Sequence, residues 1–163
     1  MNKNVLLSIM IGCYLLPIYY VYYYYDANCS VSNIICNDDR KHHILWFMIA
    51  MGIGTVLYEV ERNDNYSLLL ISILLIGIYG LIMVNETNTI HYVFASVVFI
   101  AILCFMIRQC ILTDCDIVLS SSLLLEVVML VYIITHMSED IFYGEIIYIL
   151  NFAFYYIYLH FIQ

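Results

Sequence analysis

Basic residues are scarce in this chain: only five of its 163 residues are lysine or arginine, against 13 acidic ones, and the net charge is −8. Nucleic-acid binding needs clustered cations, so five scattered ones argue against it. Only 11% of the residues are charged, whereas about 25% is usual for a soluble domain. A chain with so few charges cannot present a polar surface to water, which argues against a soluble protein.

Several functional motifs are also missing. The sequence contains no glycine-rich phosphate loop, no nucleophile elbow, no ion-selectivity filter and no basic voltage-sensing helix. No predicted spanning segment carries a lysine, which excludes a retinal Schiff base of the usual kind. The histidines and carboxylates show no HExxH motif and no recurrent HxxE spacing, so we predict neither a metal nor another cofactor.

The sequence is instead rich in apolar runs. Hydrophobic residues make up 65% of it, and the mean hydropathy is +0.95. Because one membrane crossing takes about 20 residues, the chain has room for about six. The predicted fold class is therefore all-α, a polytopic helix bundle in which residues 1–163 form a single transmembrane domain without a soluble domain. The predicted spans are 5–25, 44–60, 66–84, 90–111, 117–136 and 141–162.

The few loop cations favour one orientation of this bundle. Lys3, Arg62 and Arg108 fall on one face and Arg40 and Lys41 on the other. The positive-inside rule then predicts that both termini lie in the cytoplasm.

The opposite face would be lumenal or extracellular. Glycosylation sequons begin at Asn28 and Asn85, in two loops of that face. Cys29 and Cys36 share the first of these loops, where an oxidising compartment would allow a disulfide. These features predict a glycoprotein with one disulfide.

Two polar residues fall near the centres of neighbouring spans. Glu126 lies mid-way along the fifth span with Ser122 one turn before it, and Asn151 lies mid-way along the sixth. An acid at this depth usually faces the bundle interior. We predict that the three residues line an interior polar pocket or, alternatively, form a hydrogen bond that only fixes packing. His160 and Arg108 are interpreted as interfacial anchors.

Other titratable residues collect at the predicted lumenal face. Glu86 and His91 flank the start of the fourth span, His136 closes the fifth, and Glu145 lies one turn into the sixth. This mixture suits acid–base chemistry or metal binding, but short polar loops would produce it as well. Asn88 or Thr89 is expected to cap the fourth helix, with His91 as a neutral ring in its first turn.

The segment Gly77–Ile82 ends the third span, and His91, Ala95 and Phe99 follow after a short break. This arrangement resembles the Frag1/DRAM/Sfk1 family of six-helix membrane proteins, in which a histidine opening the fourth helix is followed by small and aromatic residues. The resemblance covers about residues 25–106. The chain departs from it at Tyr25–Cys29, where the family has an Ile-Ser-Asp-Thr-Gly-like segment.

The resemblance implies an accessory protein of lipid handling in an endomembrane or the plasma membrane, and it carries over no catalytic residue. Our leading hypothesis is a non-enzymatic protein that binds or organises lipid, whose partners are membrane lipids and other membrane proteins or copies of itself. The alternatives are a membrane-embedded His/carboxylate lipid hydrolase, an ion or proton pathway through Glu126, and a structural protein of a viral or organelle membrane.

Overall fold

The structure, a computed structural model, describes residues 3–25, 30–114, 116–136 and 141–162, except for the side chains of residues 3, 4, 6, 7 and 10. This part of the chain is helical and contains no strand, which confirms the predicted all-α class. Each predicted span corresponds to a helix, and the largest difference in bounds is three residues, at Lys41 against residue 44. The helices are α1 (Lys3–Tyr23), α2 (Val31–Ile35), α3 (Lys41–Arg62), α4 (Asn65–Met83), α5 (Thr89–Leu112), α6 (Ile117–Thr135) and α7 (Phe142–Ile162).

Five of these helices, α3 to α7, are long and apolar enough to cross a membrane. Their outward faces carry many exposed aliphatic side chains, for example Ile76, Leu124 and Ile134. So large an exposed apolar surface is unfavourable in water and suits contact with lipid. The helices therefore have the character expected of a polytopic membrane protein.

The six long helices form a ring. Each packs against the next in chain order, from α1 to α3, α4, α5, α6 and α7, and α7 returns to contact α1. From α3 to α7, short connections favour this order, because helices joined by a few residues pack side by side and run antiparallel. The interior contains fully buried aromatic side chains, including Tyr148, Tyr155, Tyr156 and Phe105.

Local signals fix where the helices begin. Asp64, Asn88 and Asp116 are the N-caps of α4, α5 and α6, and each side chain accepts hydrogen bonds from backbone N–H groups of the first turn. Asn88, one of the two predicted caps of α5, therefore fills that position. Asn63 ends α3 with a φ of 57°, a left-handed conformation that asparagine tolerates and that reverses the chain within two residues.

Helices α4 and α5 approach most closely at two glycines. A Cβ on Gly80 would overlap the ring of Phe94, and one on Gly77 would lie 2.8 Å from Val98 Cγ2. Only hydrogen at these two positions permits the observed spacing, since bulkier residues would push the helices apart.

The short helix α2 lies in the predicted loop between the first and second spans. Its N-cap is Ser30, whose Oγ accepts a hydrogen bond from Asn33 N, and its apolar residues Val31 and Ile34 are buried. It packs against α1, α4 and α7 and covers one end of the ring. Five residues are too few for a periodic sequence signal, so only packing identifies this helix.

Candidate functional site: an apolar cavity beneath a short helix

A cavity of about 150 Å³ lies among the helices of the ring. Five long helices and α2 contribute its walls, whereas α6 contributes none. Its lining is overwhelmingly aliphatic and aromatic, with side chains such as Met51, Ile71, Leu74, Phe99 and Phe152. An apolar cavity of this size stays dry and binds small apolar guests rather than water.

Helix α2 closes one end of this cavity, with Val31, Ser32 and Ile35 among the lining residues. A carboxylate on α7 holds it in place, because Glu145 Oε2 accepts a hydrogen bond of 2.6 Å from Val31 N at the start of α2. The exposed N–H groups of a helix start make this a favourable position for an acid.

A second carboxylate holds α2 from the opposite side. Glu86, in the loop between α4 and α5, accepts hydrogen bonds from Asn33 Nδ2 at 2.5 Å and from Ser30 Oγ at 3.4 Å. Two of the acids predicted to form a lumenal-face cluster therefore bind α2. They attach the cover of the cavity to α7 and to the α4–α5 loop.

The two histidines of that predicted cluster make other contacts. The buried ring of His91 donates from Nδ1 to Val84 O at 2.8 Å, and its Nε2 has no hydrogen-bond partner among the described residues. His136 is partly exposed, stacks on Tyr132 and contacts Thr135 Oγ1 at 2.9 Å. In the described part of the chain, no group of three His, Cys, Asp or Glu residues could hold a metal ion.

The three predicted interior residues do meet, between α6 and α7. Ser122 Oγ donates to Asn151 Oδ1 at 2.7 Å, while Asn151 Nδ2 donates to Ser122 O at 2.9 Å and to Glu126 Oε2 at 2.5 Å. Glu126 is fully buried, and its Oε1 has no partner among the described residues. None of the three lines this cavity, and the cluster forms a contact between two helices. That this cluster also binds a ligand stays a prediction.

The far end of the cavity leads to polar groups that the sequence did not reveal. Tyr14 OH lies 3.2 Å from Thr55 Oγ1 at the cavity wall. One turn further along α3, Glu59 is 1% exposed and accepts hydrogen bonds from Tyr156 OH at 2.7 Å and from Arg62 Nη1 at 3.2 Å.

From Arg62 the polar contacts continue across the bundle. Arg62 Nη2 donates to Gln109 Oε1 at 2.5 Å, and Gln109 Nε2 donates to Ser67 Oγ at the same distance. Ser67 Oγ donates to Asp64 Oδ2 at 2.6 Å, and Arg108 pairs with Asp64 at 2.8 Å. This partly buried network joins α3, α4, α5 and α7.

Two residues interpreted as interfacial anchors belong to this end of the bundle. His160 is 3% exposed and stacks on the Tyr58 ring with a centroid distance of 3.2 Å, so its ring packs inside the bundle. Arg108 is one-third exposed but binds Asp64 and covers the Tyr66 ring. One sequence signal could have indicated the network: Gln109 lies within an apolar span and must find partners there.

Asp64 both caps α4 and pairs with Arg108. Replacing it with asparagine should separate these two roles, since asparagine still caps a helix but cannot form an ion pair. Hydrogen bonds from the Arg108 guanidinium hold the pKa of Asp64 well below its usual value. The resulting stability is present above the unfolded-state pKa of 3.8 and is lost as the pH falls through the lower folded-state pKa. We expect wild type to exceed D64N by about 1 kcal/mol at pH 7, and the difference to shrink only below about pH 4.

Thermal unfolding in detergent at several pH values measures this difference. The matched variant D64A also loses the cap and should be less stable than D64N by about another 1 kcal/mol. Equal stability of wild type and D64N at pH 7 would show that the Arg108 pair contributes nothing.

The remaining predicted features lie at the α2 end. Cys36 is a free thiol that contacts Asn33 O, and burial raises its pKa. Its predicted disulfide partner Cys29 and the sequon residue Asn28 lie outside the described residues. Asn85 is exposed in the α4–α5 loop, where its Oδ1 accepts hydrogen bonds from Thr87. The disulfide and the glycosylation stay predictions.

Comparison with known proteins adds no relative: the chain gives no significant match to a family model, a curated protein or a solved structure.

Proposed function

We propose that this protein is a lipid-binding membrane protein whose cavity beneath α2 holds part of a lipid's hydrocarbon chain. The observation that carries the proposal is the cavity itself, which is lined by five long helices and α2 and is almost wholly apolar. Hydrocarbon gains van der Waals contacts in such a space, whereas an ion or a polar substrate would lose its hydration without finding partners.

The polar atoms at the cavity support binding over catalysis. Glu145, the one carboxylate in the lining, is bonded to the start of α2, and Thr55 Oγ1 donates to Met51 O. Both side chains are engaged in holding the structure together. A hydrolase would need a nucleophile and a base free to act on a shared substrate atom.

The position of the cavity moves the proposed lipid site away from Glu126. The contacts of Glu126 with Asn151 link α6 to α7, and α6 does not line the cavity. We therefore assign these residues a role in packing and place lipid among α1, α3, α4, α5 and α7.

A Frag1/DRAM/Sfk1-like role in lipid handling is part of the same proposal. Its support is geometric: His91, Ala95 and Phe99 are spaced four residues apart on one face of α5, and Ala95 and Phe99 line the cavity. The residues that carry the resemblance would then line or adjoin the lipid site. We propose an accessory, non-enzymatic protein of an endomembrane or the plasma membrane.

We further propose that α1 is a sixth crossing, so that both termini lie on one side, in the cytoplasm. Helix α1 is 21 residues long and occupies a place in the ring between α3 and α7. Tyr14, mid-way along it, is buried against Thr55 and Phe152. A helix at this place in a ring of spanning helices is best accommodated as a span itself.

The test adds a phenyl group at two neighbouring positions of α5. In A95F the ring enters the cavity, whereas in S96F it points into lipid, because Ser96 is exposed. The full-length proteins are purified in mild detergent, and retained lipid is quantified by mass spectrometry. Excluding about two methylenes, each worth about 0.8 kcal/mol, should weaken retention about tenfold in A95F and leave S96F like wild type.

A graded series of substitutions distinguishes a loss of lipid binding from a folding defect. Ala95→Val, Ala95→Leu and Ala95→Phe fill the cavity progressively, so retained lipid should fall in that order while the melting temperature stays level or rises. Equal lipid in A95F and S96F, or a wild-type protein that retains none, would overturn the proposal.

A further inference from the structure

A groove on the outer surface of the ring lies beside the cavity. It runs between α3 and α4, has a volume of about 390 Å³ and is lined by apolar residues from Leu45 to Leu57 on α3 and from Leu75 to Ile82 on α4. Ile53, Leu57 and Tyr79 on its rim are exposed, so the groove opens towards the membrane.

Four residues line both the groove and the cavity: Met48, Leu75, Ile78 and Ile82. The two spaces are therefore separated by a single layer of side chains. Met48 and Leu75 are only partly buried, and methionine is an unbranched side chain that changes rotamer easily. Rotation of these side chains would join the groove to the cavity without any movement of a helix.

The size of the cavity determines what it can hold. A space of about 150 Å³ accommodates a guest of benzene size, about six carbon atoms. Even a myristoyl chain, with about 14 carbons, is more than twice that length. Most of any bound acyl chain must then lie outside the cavity, and the adjoining groove is the apolar space available to it.

The length of the groove matches that of an acyl chain in one leaflet of the membrane. From Leu45 to Leu57 it extends 12 residues along α3, which at 1.5 Å per residue is about 18 Å. One leaflet of the hydrocarbon core is about 15 Å thick. Because α3 begins at the α2 end of the bundle, the groove runs inwards from the membrane surface on that side.

We infer that one acyl chain of a membrane lipid lies in the α3–α4 groove and passes sideways between Met48 and Leu75, so that its terminal carbons occupy the cavity. The inference rests on the proposed function and adds the ligand class and the entry route. The acyl chain enters from the membrane, and α2 stays in place as a cover of the cavity. The same chain chemistry is available from a phospholipid or from a free fatty acid.

Photolabelling at two depths tests this arrangement in vesicles that contain the full-length protein. A diazirine at the chain terminus should label peptides that line the cavity, such as those with Tyr14 or Phe152. A diazirine near the carboxyl end of the same chain should label the outer turns of the groove, near Leu45. Probes built as phosphatidylcholine and as free fatty acid identify the source, and labelling by either supports the inference.

The route is tested by the rate of labelling in G52L. Gly52 lines the groove and faces Leu75, and a Cβ there makes only ordinary contact at 3.4 Å, so the fold should accept leucine. The side chain fills the groove and restrains Leu75. Terminal-carbon labelling after mixing with probe vesicles should become about tenfold slower, which corresponds to a barrier increase of about 1.4 kcal/mol. G12L is the control, since no atom lies within 4 Å of a Cβ on Gly12.

The outcomes separate this inference from the proposed function. Cavity labelling at an unchanged rate in G52L would overturn the lateral route while leaving lipid binding in place. Labelling confined to the groove would overturn both. If the groove instead holds a second copy of the chain, the protein will be dimeric in detergent, G52L will make it monomeric, and the acyl-chain inference fails.

Discussion

The variant R62A should lose about 3–5 kcal/mol of unfolding free energy, the cost of removing one partner from a buried ion pair. Glu59 is 1% exposed and receives hydrogen bonds from Arg62 on both carboxylate oxygens. Without Arg62, Tyr156 is the one hydrogen-bond donor that this carboxylate keeps among the described residues, and Gln109 Oε1 loses its Arg62 donor. The measurement is unfolding in detergent, followed by circular dichroism.

The double variant E59Q/R62L shows whether the unpaired charge causes this loss. It removes both charges, so it should recover most of the stability that R62A loses. R40A is the surface control: Arg40 is partly exposed and covers the Tyr24 ring, a contact worth about 0.5–1 kcal/mol. A double variant no more stable than R62A would contradict the explanation.

The variant N151L should lose about 2–3 kcal/mol, because leucine fills a similar volume but leaves two buried polar side chains unsatisfied. Ser122 Oγ loses its acceptor, and Glu126 loses the Asn151 amide donor. Helix α6 packs against α5 and α7, and this cluster forms part of its contact with α7. We expect lower thermal stability together with faster proteolysis around α6.

Two matched variants distinguish the cost of unpaired buried polar groups from the loss of packing contacts. The triple variant S122A/E126L/N151L removes every polar side chain of the cluster and should be more stable than N151L alone. S121A removes only an exposed hydroxyl bonded to Ile117 O and should change stability by less than about 0.5 kcal/mol. If the triple variant is the least stable of the three, the cluster does not act as proposed.

Glu126 also permits a test of the ion-pathway alternative. In E126Q the amide oxygen can still accept from Asn151, so the contact between α6 and α7 should survive with a loss below about 1 kcal/mol. A proton or ion current across a bilayer that disappears in E126Q would assign Glu126 to a pathway instead of to packing.

Much of the fold is predictable from local sequence. The long apolar runs locate the helices to within three residues, and Asn88 is recognisable as a cap from the polar break that precedes α5. Even the hydrogen bond between Glu126 and Asn151 is predictable from their positions in two helices that are adjacent in sequence. The two lie at similar depth on helices joined by a short loop, and a polar group in lipid turns towards a polar neighbour.

The contacts that the sequence did not predict depend on longer-range packing. Glu86 and Glu145 have ordinary positions at helix ends, and only the folded chain brings α2 between them. Glu59 and Gln109 are 50 residues apart, and Arg62 connects them because α3 and α5 converge at one end of the ring. His160, one turn from a helix end, is buried because the Tyr58 ring covers it.

By itself, then, the sequence determines the class of this protein. Apolar runs of membrane length, few charges and scarce cations specify a helical membrane bundle, since hydrophobicity and helix length are local properties. The tertiary structure alone decides which helices touch, and with that the ring, the α2 cover, the buried ion-pair network and the apolar cavity. A cavity has no residue signature, because it is the space that side chains from five long helices and α2 fail to fill once they are packed together.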